Sequence, residues 1–424
     1  MQMVRARIDA GRSELALLTG AVVLGLAVRV AYVLATRHFP LAGDAPEYDS
    51  EGYLIAHGHP FWTFLPYGIL HAGAWKAPGY PAWVGFWYWL IGHHVLAVRL
   101  LQVPLDVFTI VLSWLLARRL FGARVAIAAA FVVALYPLAW QFNGLLYPEA
   151  LATPLTVALL LVMFTGELTA RRAALFGVLL GVTLLIRPTT EFMLLGALVA
   201  WSVALGFKRG VGLTVVAGVV AVLVVAPWTV RNAIVMHGFV PISMQDSALY
   251  GTFNATSAND PLFPYAWRRE PPNVAHLFDP HHPLSDVTLR SKLITSGVDY
   301  IKAHPASVPE AFFWNGLSRL WDIRRRSRAL AEVPFEGRSR LVNNLGLDAY
   351  LVLLPLALIG LWRTRRRRAL VLGILGLALG ASIVFTVDAG TRYRAPLEPL
   401  IAIMACVAVL GTREGLTASR SGRI

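Results

Sequence analysis

Ten apolar stretches, at 14–36, 97–117, 124–141, 147–165, 172–188, 191–206, 211–230, 346–362, 369–387 and 394–411, constrain this chain more than any other feature. A helix needs about 20 mainly apolar residues to cross the hydrocarbon layer of a bilayer. The stretches therefore predict an all-α polytopic membrane protein with about ten transmembrane helices. Composition agrees: 57% of the 424 residues are hydrophobic and 15% charged, where soluble chains carry about 25% charged residues. That excludes a soluble globular enzyme, a disordered tail and a fibrous protein. The net charge of +14 sits largely in clusters beside apolar stretches, so it reads as a topology signal rather than a nucleic-acid footprint. The single cysteine, Cys406, lies in an apolar stretch and excludes a disulfide framework or a thiol-rich metal site within one chain.

Arg5, Arg7 and Arg12 precede the first stretch, which is longer than a signal-peptide core and reads as an uncleaved anchor. The segment 79–92, GYPAWVGFWYWLIG, is short and aromatic, which suits the membrane–water interface. With 79–92 on the surface and the N-terminus inside, Arg118, Arg119, Arg124, Arg171, Arg172, Lys208, Arg209, the run 363–368 and Arg413 all fall on the inner side. With 79–92 spanning, every later basic loop moves outside. The expected layout is an N-terminal transmembrane catalytic module over 1–230, with an outer loop at 37–96 bearing interfacial helices. An extracytoplasmic loop with short surface helices at 231–345 and C-terminal spans with a cytoplasmic tail at 346–424 complete it. Both termini are expected in the cytoplasm. Arg324, Arg325, Arg326 and Arg328 fall on the outer side, where long loops are largely exempt from the charge bias. There is no inverted repeat, cofactor-binding glycine motif or HExxH motif.

The outer ends gather chemistry. The first loop reads GDAPEYDSEGYLIAHGHPF, with Asp44, Glu47, Asp49 and Glu51 close together, then His57 and His59. Asp44 stands nearest the membrane and is best placed to act on a membrane-embedded substrate. Lys76 precedes Pro78-Gly79-Tyr80-Pro81, a helix start, and Tyr147-Pro148-Glu149 opens the fourth stretch. Arg187, Arg231, Arg392 and Arg394 all stand at outer ends, against the positive-inside bias. With Lys76 they form a candidate phosphate site, because a guanidinium matches phosphate oxygens bidentately. Carboxylates beside an anion-binding set suit group transfer from a lipid-linked phosphate.

The ordered motifs are the acidic loop, Lys76-Ala77-Pro78-Gly79-Tyr80-Pro81, YPE, the L-x-R-P ending on Pro188, the PW-x-x-RN ending on Asn232, and RYRAPLEP from Arg392. In this order they resemble the bacterial dolichyl-phosphate-mannose protein mannosyltransferase-like superfamily, glycosyltransferase family 39. That family is a branch of the GT-C membrane glycosyltransferases, which also include the lipid A aminoarabinose transferases; the resemblance runs over about 14–411. It implies extracytoplasmic transfer of one sugar from a polyprenyl-phosphate donor to a glycolipid, polysaccharide or protein acceptor, with inversion. It also implies Asp44 as general base, Glu47 as its helper, although the spacing here is Asp-x-x-Glu, and Glu149 as the second acid. Arg392 and Arg394 match the basic region at the donor phosphate, and Arg187, Arg231 and Lys76 match it less closely. Tyr48, His57, Tyr80 and Tyr393, beside these motifs, are candidate substrate-binding residues. Some relatives use a divalent metal ion and others do not, so a metal cofactor stays open. The alternative function is a transporter or flippase of a lipid-linked or anionic substrate. It requires ionisable groups in mid-span, where Asp106 is the clearest instance. A polymer ligase or scaffold is a third reading. Asn254-Ala255-Thr256 is a sequon expected from chance. The sequence names neither the sugar, the acceptor, the lipid length nor the oligomeric state.

Overall fold

A computed structural model describes residues 2–411, with side chains from Arg12 onward apart from Asn143; Arg413 lies outside the described residues. Each apolar stretch contains a helix. The order is α1 (Gln2–Ala35), α2 (Ala45–Ala56), α3 (Gly79–Ile91), α4 (Val95–Phe121), α5 (Ala123–Leu135), α6 (Glu149–Phe164) and α7 (Ala170–Ile186). Then come α8 (Met193–Leu205), α9 (Phe207–Val235), α10 (Asp286–Ala303), α11 (Arg340–Arg363), α12 (Arg368–Val384) and α13 (Glu398–Leu410). Among the described residues six helices are long and apolar enough to cross a membrane, and α5, α6 and α12 are shorter apolar helices. The chain is an integral membrane protein of many helical spans.

Local chemistry sets the helix ends. Gly122 and Gly206, at φ +93° and +86°, reverse the chain within one residue between α4 and α5 and between α8 and α9, a backbone state that glycine adopts without penalty. Thr169 caps α7 by accepting from the Arg172 amide. The stretch 124–141 is not one helix. Tyr136 is extended, as a residue before proline tends to be, and a short turn restarts at Pro137.

Small residues bring the helices close. Gly177 and Gly181 of α7 face Ala217 and Val224 of α9, and Gly360 of α11 meets the Met404 carbonyl of α13. One large core joins α4 through α9 with α11 to α13, and a second, smaller core joins α1, α4 and α5. Asp106 of α4 is paired with Arg29 of α1, both buried.

In the first loop α2 crosses α3 at Gly52 and Gly85. Between them Trp62–Thr63 (β1) and His71–Ala72 (β2) pair antiparallel, Trp62 opposite Ala72, a departure from the all-helical expectation and too short for alternation to reveal. In the second loop Ser285 caps α10, and Phe312–Arg319 is wound as a π-helix. Asn254 is buried and caps the turn Ala255–Ala258, so its sequon serves the fold.

Candidate active site

Asp44 occupies the N-cap of α2, yet its side chain makes no capping bond. Aspartate ordinarily accepts from the first helical amides there. Here the carboxylate turns to two cations: Oδ1 lies 3.1 Å from Lys76 Nζ and Oδ2 lies 2.8 Å from Arg392 Nη2. Lys76 is delivered by the segment that starts α3, and Arg392 by the short turn Thr391–Arg394 ahead of α13. Asp44 keeps 29% of its side-chain surface exposed while Lys76 keeps 5%, so the carboxylate is the open member. Burial alone would raise the Asp44 pKa; the ammonium of Lys76 and the guanidinium of Arg392 outweigh it and hold the carboxyl well below the usual range. The same attraction raises the Lys76 pKa against the cost of its burial.

The pairing extends both ways. Glu47, one turn along α2, forms an ion pair with Lys76 at 2.7 Å and another with Arg269 of the second loop. Glu149, in the first turn of α6, pairs with Arg187 at the end of α7 and lies 3.3 Å from Arg392 Nε. Its Oε2 has no hydrogen-bond partner. The result is one alternating series: Arg269, Glu47, Lys76, Asp44, Arg392, Glu149, Arg187. Aromatic rings wall it. The Arg392 guanidinium lies 4.6 Å from the Tyr147 ring and 4.8 Å from the Tyr393 ring, and Lys76 lies 5.3 Å from the Tyr48 ring. Tyr48 meets Tyr80 edge-on, Tyr80 donates to Gln102 of α4, and Tyr147 donates to the Ala42 carbonyl at 2.9 Å. Tyr393 donates to Asp388, whose carboxyl is pushed up by burial despite Arg319 nearby.

The series therefore unites Asp44, Glu47, Glu149, Lys76, Arg187 and Arg392, with Tyr48, Tyr80 and Tyr393 around them. Three predicted residues stand apart. Arg394 points into the core, bonding Glu398 at 2.6 Å, the Leu320 carbonyl at 2.6 Å and Asp322 at 3.1 Å. Arg231, within the last turns of α9 rather than beyond it, donates to the Gly73 and Phe61 carbonyls. His57 is exposed and stacks on Tyr53. Arg269, Tyr147, Gln102 and Asp388 were not singled out. Tyr147 belongs to the quoted YPE motif and Asp388 lies just before RYRAPLEP, whereas nothing in the sequence near Arg269 signals its pairing. Among the described residues no group of three His, Cys, Asp or Glu side chains is arranged to hold a metal ion.

All these residues share one end of the helix bundle. Glu149 starts α6 and Arg187 follows the end of α7, while Arg171 and Arg172 lie in the first turn of α7 at the opposite end. Residues 75–230 match the family described as dolichyl-phosphate-mannose-protein mannosyltransferase. The archaeal oligosaccharyltransferase AglB from Archaeoglobus fulgidus, solved with an inhibitory peptide and a dolichol-phosphate, superposes with a TM-score of 0.51 and 17% identity over 93% of this chain and 50% of its own. The same oligosaccharyltransferase with zinc and sulfate gives 0.52 and 16% over 92% and 48%. This is the GT-C fold. ArnT from Cupriavidus metallidurans, solved bound to undecaprenyl phosphate, matches with a TM-score of 0.40 and 17% identity over 89% of this chain and 78% of its own. No curated protein is significantly similar in sequence. This GT-C chain spans about half the length of the archaeal chains it matches.

Proposed function

We propose that the protein transfers one sugar from a polyprenyl-phosphate donor to an acceptor on the outer face of the membrane, with inversion and with Asp44 as general base. The observation that carries this is the Asp44 carboxylate, partly open and held between Lys76 and Arg392. In that state the carboxylate is a weak base, because two cations stabilise its charge. A donor phosphate competes for the same cations. As Lys76 and Arg392 turn to the phosphate, Asp44 loses its partners and gains basicity next to the reacting centre. The acceptor O–H bond then breaks towards Asp44. The acceptor oxygen bonds to the anomeric carbon from the face opposite the phosphate. The bond from that carbon to the phosphate oxygen breaks, and its electron pair stays on the phosphate, where Lys76 and Arg392 stabilise it. Glu149 and Arg187 hold Arg392 from behind, and Glu47 with Arg269 holds Lys76. The lipid-bound AglB and ArnT structures support a polyprenyl-phosphate class of donor.

The test is transfer of labelled sugar from polyprenyl-phosphate sugars by the purified, reconstituted chain, with product anomericity read by NMR. Retention of configuration, or turnover unaffected by Asp44→Asn, overturns the mechanism. The transporter reading drew on mid-span charge, and Asp106 has Arg29 as its partner between α1 and α4.

A further inference from the structure

The end of the second loop and the start of α11 are built inside out for a chain in water. In the π-helix Phe312–Arg319 the polar residues are the buried ones. Asn315 donates to the Tyr265 and Thr386 carbonyls at 2.8 and 2.9 Å, and Ser318 is buried too. The apolar Phe313 is exposed, as is Ile323 just beyond. Along α11, Leu341, Leu345 and Val352 recur at helical spacing and are all exposed. An apolar face of this kind turned outward belongs against lipid.

Charge interrupts that face. Asp348, between Leu345 and Val352, is 54% exposed and pairs with Arg326, itself 40% exposed. Arg326 Nε also donates to Asn344 Oδ1 at 2.7 Å. Asp348 stands fifteen residues before Arg363, the last residue of α11, hence about 22 Å from it along the helix axis. The hydrocarbon layer is about 30 Å thick, and an exposed ion pair at such a depth needs polar company. Cations there outnumber acids. Arg324 is engaged by Asp322 and Glu332, and Arg326 by Asp348. Arg325 is the neighbour of Arg326 in the chain. Arg340 precedes Asn344 by one turn, so Arg340, Asn344 and Asp348 share one face of α11. Arg325 and Arg340 are both exposed and form no ion pair among the described residues.

This face therefore offers two unmatched guanidinium groups above a stripe of aliphatic side chains. A second copy of the chain would set like charge against like. A zwitterionic headgroup would carry its own cation into the patch, and a soluble anion would leave the leucines uncovered. We propose that the face binds an anionic phospholipid of the leaflet at the Asp44 end, its phosphate on Arg325 and Arg340 and an acyl chain along Leu341, Leu345 and Val352. The proposal does not depend on the transferase reading, whose cations are turned to Asp44.

The test is fluorescence quenching with the full chain in nanodiscs. A bimane is attached to Leu351→Cys, exposed on α11 beside the stripe, or to Val222→Cys, exposed on α9, as reference; native Cys406 is buried. Brominated phosphatidylglycerol and brominated phosphatidylcholine compete for the place next to each probe. At Leu351 phosphatidylglycerol is preferred at least about fivefold, the effect of about one arginine at an anionic membrane surface. At Val222 the two lipids quench within about twofold of each other. Arg325→Gln together with Arg340→Gln brings the Leu351 ratio within about twofold of one and leaves Val222 unchanged. Lysine at both positions keeps most of the preference, since the charge remains. Glycerol phosphate, a headgroup without chains, displaces nothing. No preference at Leu351, an equal preference at Val222, or a preference untouched by the double glutamine variant overturns the proposal and leaves Arg325 and Arg340 reaching for any headgroup. Displacement by glycerol phosphate overturns it in favour of a soluble anion, and displacement by an equimolar amount of undecaprenyl phosphate overturns it in favour of a donor lipid.

Discussion

An aspartate at a helix start has a routine use, and Asp44 forgoes it. Without a capping bond, its carboxylate is free to hold two cations that a phosphate also wants. Asp44→Asn keeps the shape and removes the basicity. Transfer should fall at least about a hundredfold, with donor binding largely kept, as expected for loss of a general base; the check is labelled-sugar transfer beside donor binding on the same variant. Near-normal turnover in Asp44→Asn with collapse in Glu149→Gln would move the base to Glu149. Arg392 is tested through its shape. It contacts Asp44 through Nη2 and approaches Glu149 through Nε, two directions fixed by a planar fork that a point-charge ammonium does not reproduce. Arg392→Ala should lose about 10²-fold in kcat/KM, and Arg392→Lys should recover only part of it. Part of this was legible in the sequence: Asp44, Lys76, Glu149, Arg187 and Arg392 are motif residues, and the structure brings them together. Arg394 looked equivalent to Arg392 in RYR because both are arginines. Residues two apart on a helical turn face opposite ways, so one reaches Asp44 and the other the core.

The element that orients Arg392 comes from far away in sequence. Asp322, in the second loop at φ +47°, accepts from Thr391 Oγ1 at 3.0 Å and from Arg394 Nη1 at 3.1 Å. Those two residues flank Arg392. Arg324 and Glu332 brace Asp322 in turn, with Arg324 3.2 Å from Asp322 and 2.6 Å from Glu332. The same segment is locked to α11 by the Tyr350 hydroxyl on the Trp321 carbonyl at 2.8 Å and to α12 by Trp321 on Ser382 at 2.9 Å. Asp322 thus acts as a positioning residue. Asp322→Ala should lower kcat/KM for donor at least about tenfold in the wild type and less than about twofold in an Arg392→Ala background, since coupled residues are non-additive. Asp322→Asn, which keeps an acceptor for Thr391, should fall between. Equal losses in both backgrounds would make Asp322 merely structural. The sequence could not show this. The helix α10 is one of the short helices expected over 231–345, but a left-handed aspartate clasping a turn some seventy residues on leaves no local pattern.

At the scale of the molecule, charge decides which way the chain faces. Arg118 and Arg119 lie in the last turn of α4, and Arg124, Arg171, Arg172, Lys208 and Arg209 in the first turns of α5, α7 and α9, all at the end away from Asp44. Several outer arginines have partners of their own: Arg187 with Glu149, Arg324 with Glu332, Arg326 with Asp348. The prediction is that the Asp44 end faces outward. Cysteine at Asn259 in the second loop or at Arg366 between α11 and α12 is exposed in either case, whereas native Cys406 is buried in α13 and contributes little background. In intact cells an impermeant maleimide should label Asn259→Cys and leave Arg366→Cys unlabelled until the membrane is permeabilised. Reversed labelling would place Asp44, Lys76 and Arg392 in the cytoplasm. A lipid-linked donor presented at the outer face would then never meet them, and the proposed reaction would fail however well the site's geometry suits it.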